Sequence, residues 1–281
     1  MASIIDGKKI AEDRILEIKS NIEKLKKDHN LIPGLAVVLV GDDPASRTYV
    51  NSKEKKCKEV GIYSEVHRLP ESITELELLK IVEDLNNNEK IHGILVQLPL
   101  PKHINEDTIN EHISYEKDVD GFHPVNIGNL QLKRPSFVPC TPKGIIELIK
   151  STGTTIQGKN AVVVGRSNIV GLPTSMLLLN ENATVTICHS KTQNLKDTIL
   201  KADIIVSATG IAGLITGDMV KQDAVVIDAG IIRVGDTMVG DVLYDDVLQK
   251  AGFITPVPGG VGPMTIAMLM QNTYEAALKC V

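Results

Sequence analysis

The chain has no tryptophan, three phenylalanines and five tyrosines, so a platform for stacking bases is hard to build. It also lacks a stripe of Lys and Arg interleaved with aromatics, and its net charge is −5, which argues against a surface that coats a duplex. No run approaches the ~18 apolar residues of a membrane span. The opening "MASIIDGKKIAEDR" carries charges where a secretory signal would be apolar. Neither nucleic acid nor a membrane is expected as a partner, and no metal is expected. Cys57, Cys140, Cys188 and Cys280 show neither Cys-x-x-Cys pairing nor the spacing of a disulfide scaffold. That usage suits a reducing compartment and points to the cytoplasm.

What is present is the alternation of an α/β protein. "GLAVVLV" (34–40), "YSEVHRL" (63–69) and "HGILVQL" (92–98) read as strands, separated by charged, helix-forming segments. After a Pro-, Gly- and Asn-rich stretch at 99–142, expected as a linker or cleft-forming segment, the alternation resumes. A helix "KGIIELIKS" precedes apolar strands at 161–164, 183–188, 203–207, 224–228 and 253–255. This second half reads as a doubly wound, nucleotide-binding sheet. The final "TIAMLMQNTYEAALKCV" reads as a helix able to pack back on the first half. At 281 residues two domains are expected.

"AVVVGRSNIVGLP" (161–173) is an apolar strand, a glycine turn and a helix, the setting that a dinucleotide fingerprint requires. It departs from Gly-x-Gly-x-x-Gly: Gly165 comes first, Ser167 and Val170 hold the next two glycine positions, and Gly171 follows one place late. The absence of Gly-Lys-Ser/Thr excludes a Walker loop, and Ile169 excludes a nucleophile elbow around Ser167. The plainer reading is an ordinary strand-to-helix turn. The next strand ends in His189, Ser190 and Lys191, with no acid to hold a ribose diol, while Arg166, Ser190 and Lys191 offer donors for a phosphate. NADP is therefore expected over NAD, although His189 and Lys191 could merely solvate the strand end. "SATG" (207–210) and "IDAG" (227–230) end strands with small residues, which lets backbone approach a flat ligand or simply forms tight turns.

"GDDPASRTYVNSKEKKCKEVG" reads as a helix with Asp43 as N-cap, Pro44 at the first position and Gly61 at the end. At about 100° per residue Ser46, Tyr49, Val50, Cys57 and Val60 share a face with Lys53 near its middle. Lys53 is either partly desolvated there, a setting suited to acid–base work, or snorkels outward. The Tyr-x-x-x-Lys spacing is that of short-chain dehydrogenases, but their glycine turn precedes the pair, whereas Tyr49 lies far upstream of Gly165. Gln97 at a strand's carboxyl end could orient an ammonium, and Asp120 before Gly121 sits in an irregular segment suited to ligand binding. A satisfied edge Gln and an Asx-turn Asp are the plainer readings.

Together "GDDPASRTYVNSKEKKC", "GILVQLPLPKHI", "KDVDGFHPVNIG", "PCTPKG", "VVVGRSNIVGLP", "CHSKT", "DIIVSATG" and "TPVPGGVGPMT" closely resemble the bifunctional methylenetetrahydrofolate dehydrogenase/methenyltetrahydrofolate cyclohydrolase family. The resemblance runs in family order over nearly the whole chain, and "QLPLP" and "PGGVGPMT" are its specific parts. It implies an N-terminal three-layer α/β catalytic domain (1–139, with a C-terminal helix 264–281 packing back on it) and a Rossmann-like NADP domain (140–263). A folate cleft would lie between them, and a homodimer would form through the NADP domains. The implied reactions are oxidation of methylenetetrahydrofolate with NADP and hydrolysis of the methenyl product to 10-formyltetrahydrofolate, in one-carbon metabolism and purine biosynthesis.

By the same resemblance Lys53 moves the proton in hydrolysis, Gln97 hydrogen-bonds it, Tyr49 stacks on the aminobenzoate ring, and Asp120 accepts hydrogen bonds from the pterin. Leu98, Gly262, Pro263 and Thr265 complete the folate set. Gly165, Arg166, Ser167, Ile169, Val170, His189, Ser190, Thr209, Gly210, Gly230 and Ile231 form the cofactor set, with Arg166 and Ser190 on the 2′-phosphate. The family does not clearly require His189 or Lys191. A dehydrogenase-only relative would lack the lysine. A non-catalytic NADP-binding sensor would leave Tyr49, Lys53, Gln97 and Asp120 without a purpose.

Overall fold

The structure is a computed structural model that describes residues 1–281. In chain order the first elements are β1 (Ser3–Ile4), α1 (Gly7–His29), β2 (Gly34–Val40), α2 (Pro44–Val60), β3 (Tyr63–Leu69), α3 (Glu75–Asn86) and β4 (Gly93–Val96). Then come α4 (Glu106–His112), α5 (Pro124–Gln131), α6 (Cys140–Ser151), β5 (Asn160–Val164), α7 (Gly171–Asn180), β6 (Thr184–Cys188), α8 (Leu195–Ile199) and β7 (Ile204–Ser207). The last are β8 (Val225–Asp228), β9 (Ile232–Val234), β10 (Thr237–Val239), α9 (Tyr244–Val247), β11 (Phe253–Ile254) and α10 (Val261–Leu278). They form two compact units, Asp13–Cys140 with Ile266–Val281, and Met1–Glu12 with Thr141–Thr265.

The first unit holds a three-stranded parallel sheet in the order β3-β2-β4. Every residue of "GLAVVLV" in β2 is buried, as expected of a central parallel strand covered on both faces. Ala36, Val38 and Val40 point one way into a core with Leu78, Val82 and Leu85 of α3 and Ile109 of α4. Leu35, Val37 and Leu39 alternate to the opposite face. On α10, Asn272 Nδ2 donates to the carbonyls of Val119 and Val138 at 2.8 and 2.9 Å. Cys57 and Met270 touch through their sulfurs at 3.7 Å.

The second unit holds a six-stranded, all-parallel sheet in the order β1-β11-β8-β7-β5-β6. From β5 the chain steps to β6 on one side, then crosses back to β7 on the other. The carboxyl ends of β5 and β7 therefore flank a topological switch point, where open α/β sheets bind their ligands.

Four expectations need adjusting. Residues 99–142 are not a bare connection, because they form α4, α5 and the start of α6. These helices are too short to show a period, and their signals are caps: Asn105 accepts from the Asp107 and Thr108 amides, and His123 Nδ1 from Val125 with Pro124 following. The last helix begins at Val261, so Gly262 and Pro263 lie in its first turn, where proline costs no hydrogen bond, and Thr265 follows one turn on, its hydroxyl donating to the Val261 carbonyl. A β9–β10 hairpin turning at Gly235 (φ 60°) went unseen. Finally Ser3–Ile4 pairs with Phe253–Ile254, which takes residues 1–12 into the second unit rather than the first.

Replacing Asn272 by Ala removes the amide donor from the Val119 and Val138 carbonyls and leaves Val119 only the weak Cys140 thiol. The expected loss is about 2–4 kcal/mol of stability, measured by urea unfolding. A loss below about 0.5 kcal/mol would show that this bracket is not structural.

Candidate active site

Helix α2 follows its sequence signals. Asp43 accepts from the Ser46 amide at 2.7 Å, Pro44 opens the helix, and Gly61 closes it at φ 87°. Its buried face is Ser46, Val50, Lys53, Cys57 and Val60. Lys53 does not snorkel out, since only 9% of it is exposed. Its Nζ donates to Gln97 Oε1 at 2.9 Å. Gln97 follows β4 directly, and its Nε2 donates to the Leu98 carbonyl at 2.7 Å, which commits the amide nitrogen and turns the oxygen to the lysine. Tyr49, one turn before Lys53, is more open at 38% exposure. Partial burial pushes its phenol upward, so it stays neutral.

Asp120 lies in a segment fixed by its neighbour Asp118. The buried Asp118 carboxylate accepts from the amides of Gly121, Phe122 and His123 at 3.0, 3.2 and 2.8 Å, and from Asn126 Nδ2 at 2.8 Å. Gly121 (φ 76°) allows the close approach of residues 137–139, because a Cβ there would stand 2.7 Å from the Pro139 nitrogen. Asp120 is half-buried. It receives no hydrogen bond from the backbone, and the neighbouring Cys140 thiol donates to the Val119 carbonyl at 3.4 Å. Burial raises its carboxyl to about 6, with the Lys53 charge opposing and Asp118 adding. The arrangement is an ammonium held by an amide near a carboxylate with free acceptor capacity.

In the second unit Gly165 (φ 125°) turns the chain directly after β5. A Cβ there would meet the Ala208 carbonyl oxygen at 2.3 Å, so this glycine lets the loops after β5 and β7 touch across the switch point. Ser167 Oγ accepts from the Val170 and Gly171 amides at 3.2 and 3.3 Å and so caps the start of α7. Arg166, Ser167 and Ile169 are exposed and Val170 is half-buried. Ser190 and Lys191 are exposed after β6. His189 Nδ1 accepts from the Lys191 amide at 3.1 Å, so one ring nitrogen is spent on the local turn. Gly262 and Pro263 are half-buried, and Thr265 Oγ1 lies 2.9 Å from Thr141 Oγ1. The close glycine turn and the exposed Arg166 and Ser190 fit a phosphate-bearing dinucleotide.

Sequence reasoning missed the acids that hold these loops. Asp228 ends β8 and Asp241 follows β10, both buried. Asp228 accepts from the amides of Gly230, Asp241 and Val242 at 2.9, 3.0 and 2.9 Å. Asp241 accepts from Ser207 Oγ and the Thr209 amide at 2.8 and 2.6 Å, and from the Gly210 amide at 3.0 Å. The only signal was an Asp near a Gly: Asp228 two residues before Gly230 in "IDAG", and Asp241 after Gly240 in the "VGD" of 239–241.

Residues 5–120 match the tetrahydrofolate dehydrogenase/cyclohydrolase catalytic domain, and residues 139–281 match that family's NAD(P)-binding domain. The chain belongs to this family. The bifunctional protein FolD of Listeria innocua is 59% identical over 99% of this chain and 98% of its own. The crystal structure of the bifunctional FolD dehydrogenase/cyclohydrolase from Campylobacter jejuni superposes with a TM-score of 0.98 at 48% identity, covering 100% of both chains. The Trypanosoma brucei dehydrogenase-cyclohydrolase complexed with NADP cofactor and inhibitor gives 0.96 at 40% identity, covering 99% and 98%. As a member of this family the chain is an enzyme with an NAD(P)-binding domain.

The raised carboxyl of Asp120 gives a stability prediction. Its pKa of about 6 lies above the ordinary 3.8, so its contribution is complete below pH ~4 and is lost as pH rises through ~6. Asp120→Asn cannot ionise. It should exceed the wild type by up to about 3 kcal/mol at pH 8, and the difference should vanish near pH 4. Chemical unfolding at both pH values checks this, and a gain independent of pH would remove ionisation as its cause.

Proposed function

We propose that this chain oxidises 5,10-methylenetetrahydrofolate to the 5,10-methenyl form with NADP and hydrolyses that product to 10-formyltetrahydrofolate. The observation that carries the assignment of residues is the contrast between two neighbouring acids. Asp118 is saturated by four protein donors, whereas Asp120 keeps lone pairs for a ligand within range of the Lys53 charge.

In this reading Asp120 accepts hydrogen bonds from the pterin, and Tyr49 offers its half-open ring to the aminobenzoate. Leu98, Gly262, Pro263 and Thr265 line the folate. Bound NADP supplies the hydride acceptor. The protein's part in the oxidation is to hold the one-carbon bridge in place, since a ring-nitrogen lone pair stabilises the cation that forms. Hydrolysis asks for more. Water adds to the methenyl carbon, one carbon–nitrogen bond opens to a free amine, and one proton is released overall. Lys53, oriented by Gln97, moves that proton.

The remaining cofactor contacts are assigned to Gly165, Ser167, Ile169, Val170, His189, Thr209, Gly210, Gly230 and Ile231. NADP over NAD is supported by Arg166 and Ser190, both exposed on loops after adjacent strands, and by the NADP in the trypanosomal relative. The family resemblance adds a homodimer, a cytoplasmic setting and a role in purine biosynthesis. The four free cysteines suit that compartment, and no helix is long and apolar enough to cross a membrane.

The decisive assay mixes protein, methylenetetrahydrofolate and NADP and follows NADPH and methenyl product at separate absorbances. NADPH rising with little methenyl accumulation supports coupled activities, methenyl rising in step leaves a dehydrogenase alone, and silence points to a sensor. Lys53→Met should cut hydrolysis at least about 100-fold while NADP binding persists; an unchanged rate removes Lys53 from the mechanism. Arg166→Ala should raise the KM for NADP and leave that for NAD little changed. A parallel shift of both would mean the phosphate is held elsewhere.

A further inference from the structure

The loops after β7 and β8 carry Thr209, Gly210 and Gly230, all assigned above to the cofactor. Yet their backbone N–H groups are already spent. Thr209 and Gly210 donate to Asp241, and Gly230 donates to Asp228. The two acids are linked in series, because Asp228 takes the amides of Asp241 and Val242 while Thr255 Oγ1 fixes the Asp228 amide at 2.8 Å. Ser207, at the end of β7, adds its hydroxyl to Asp241. Space for the pair depends on two glycines. A Cβ on Gly230 would stand 2.2 Å from Asp241 Oδ1, and one on Gly240 1.9 Å from Asp228 Oδ2. By contrast, no protein hydrogen bond reaches the carbonyl oxygens of Thr209, Gly210 or Gly230.

We propose that Asp241, itself held by Asp228, is a positioning residue for hydride transfer: it fixes the loop after β7 at the switch point and leaves Thr209, Gly210 and Gly230 with free carbonyl oxygens and no free amide. Such a rim favours a cofactor head that brings N–H donors, as a carboxamide does, over a carboxylate in its place, because the carboxylate would face three carbonyl oxygens whose own residues have no amide left to meet it. The inference rests on the assignment of NADP to this unit. Asp241 acts through the loop and not on the reacting atoms.

The test compares wild type, Asp241→Asn and Ser207→Ala on both reactions, with hydrolysis measured on preformed methenyltetrahydrofolate without NADP. Asp241→Asn sets an NH2 against backbone N–H groups. It should lower dehydrogenase kcat at saturating NADP about 10-fold or more. The KM for NADP should move less than about threefold and hydrolysis less than about twofold. Ser207→Ala should shift kcat the same way by less. With wild type, the NADP analogue bearing a carboxylate for the carboxamide should lose at least about 100-fold in kcat/KM, and Asp241→Asn should narrow that gap. Parallel loss of both activities would make Asp241 merely structural, and unchanged dehydrogenation would also overturn the proposal. A wild type that turns over neither NADP nor NAD would instead sink the underlying assignment, and the proposal with it.

Discussion

Where a parallel strand ends, the backbone N–H groups of the following loop leave the ladder and must find acceptors. In this chain buried carboxylates supply them. Asp118 gathers the amides of residues 121–123, Asp228 those of 230, 241 and 242, and Asp241 those of 209 and 210. Each loop so held carries or adjoins a residue to which the proposed function gives a role. Loops without such brackets would open at little cost, and a site built on them would lose the sub-ångström placement that hydride transfer requires.

The same accounting separates structural acids from working ones. A carboxylate accepts about four hydrogen bonds, and Asp118 has that many from the protein. Asp120, two residues on, has no backbone donor and chiefly the Lys53 charge to favour its ionised form. Lys53 is likewise incompletely occupied, since an ammonium has three donors and Gln97 takes one. Gln97 is a fitting neighbour because it is neutral. A carboxylate there would tie the ammonium into a buried ion pair, costly to break whenever a proton moves.

Much of this was legible in the residues. The Asp43 cap and the Pro44 start followed from residue type, and the face of Ser46, Val50, Cys57 and Val60 followed from helical spacing, which left open whether Lys53 was buried in it. The strand–Gly165–helix unit followed from its apolar run and glycine. The order of β5 and β7 about the switch point did not, since strand adjacency is a long-range property. Nor did the division of labour between Asp118 and Asp120, because both precede Gly121 in one irregular segment and only the chain's path decides which turns inward. The bracket from Asp241 to Thr209 joins residues far apart in sequence, and no local pattern announces it. The short α4 and α5 were hidden for the opposite reason: their evidence is entirely local, in caps that a search for periodicity passes over.

Asp120 also carries a cost that the bracket acids share only in part. Asp120 and Asp228 are both raised to about 6 by burial. For Asp228 three amides oppose the shift and the group has no ligand to serve. Its ionisation costs the fold some stability as pH rises through ~6 while charge-assisted hydrogen bonds hold the hairpin end in place. For Asp120 the same interval has a second meaning. Below it the folded chain is favoured but the carboxyl is protonated and a poorer acceptor for the N–H donors of the proposed pterin; above it the acceptor is complete and the fold has given up that contribution. Under the proposed function, stability and folate recognition are set against each other in a single side chain, and neutral pH lies on the side of recognition.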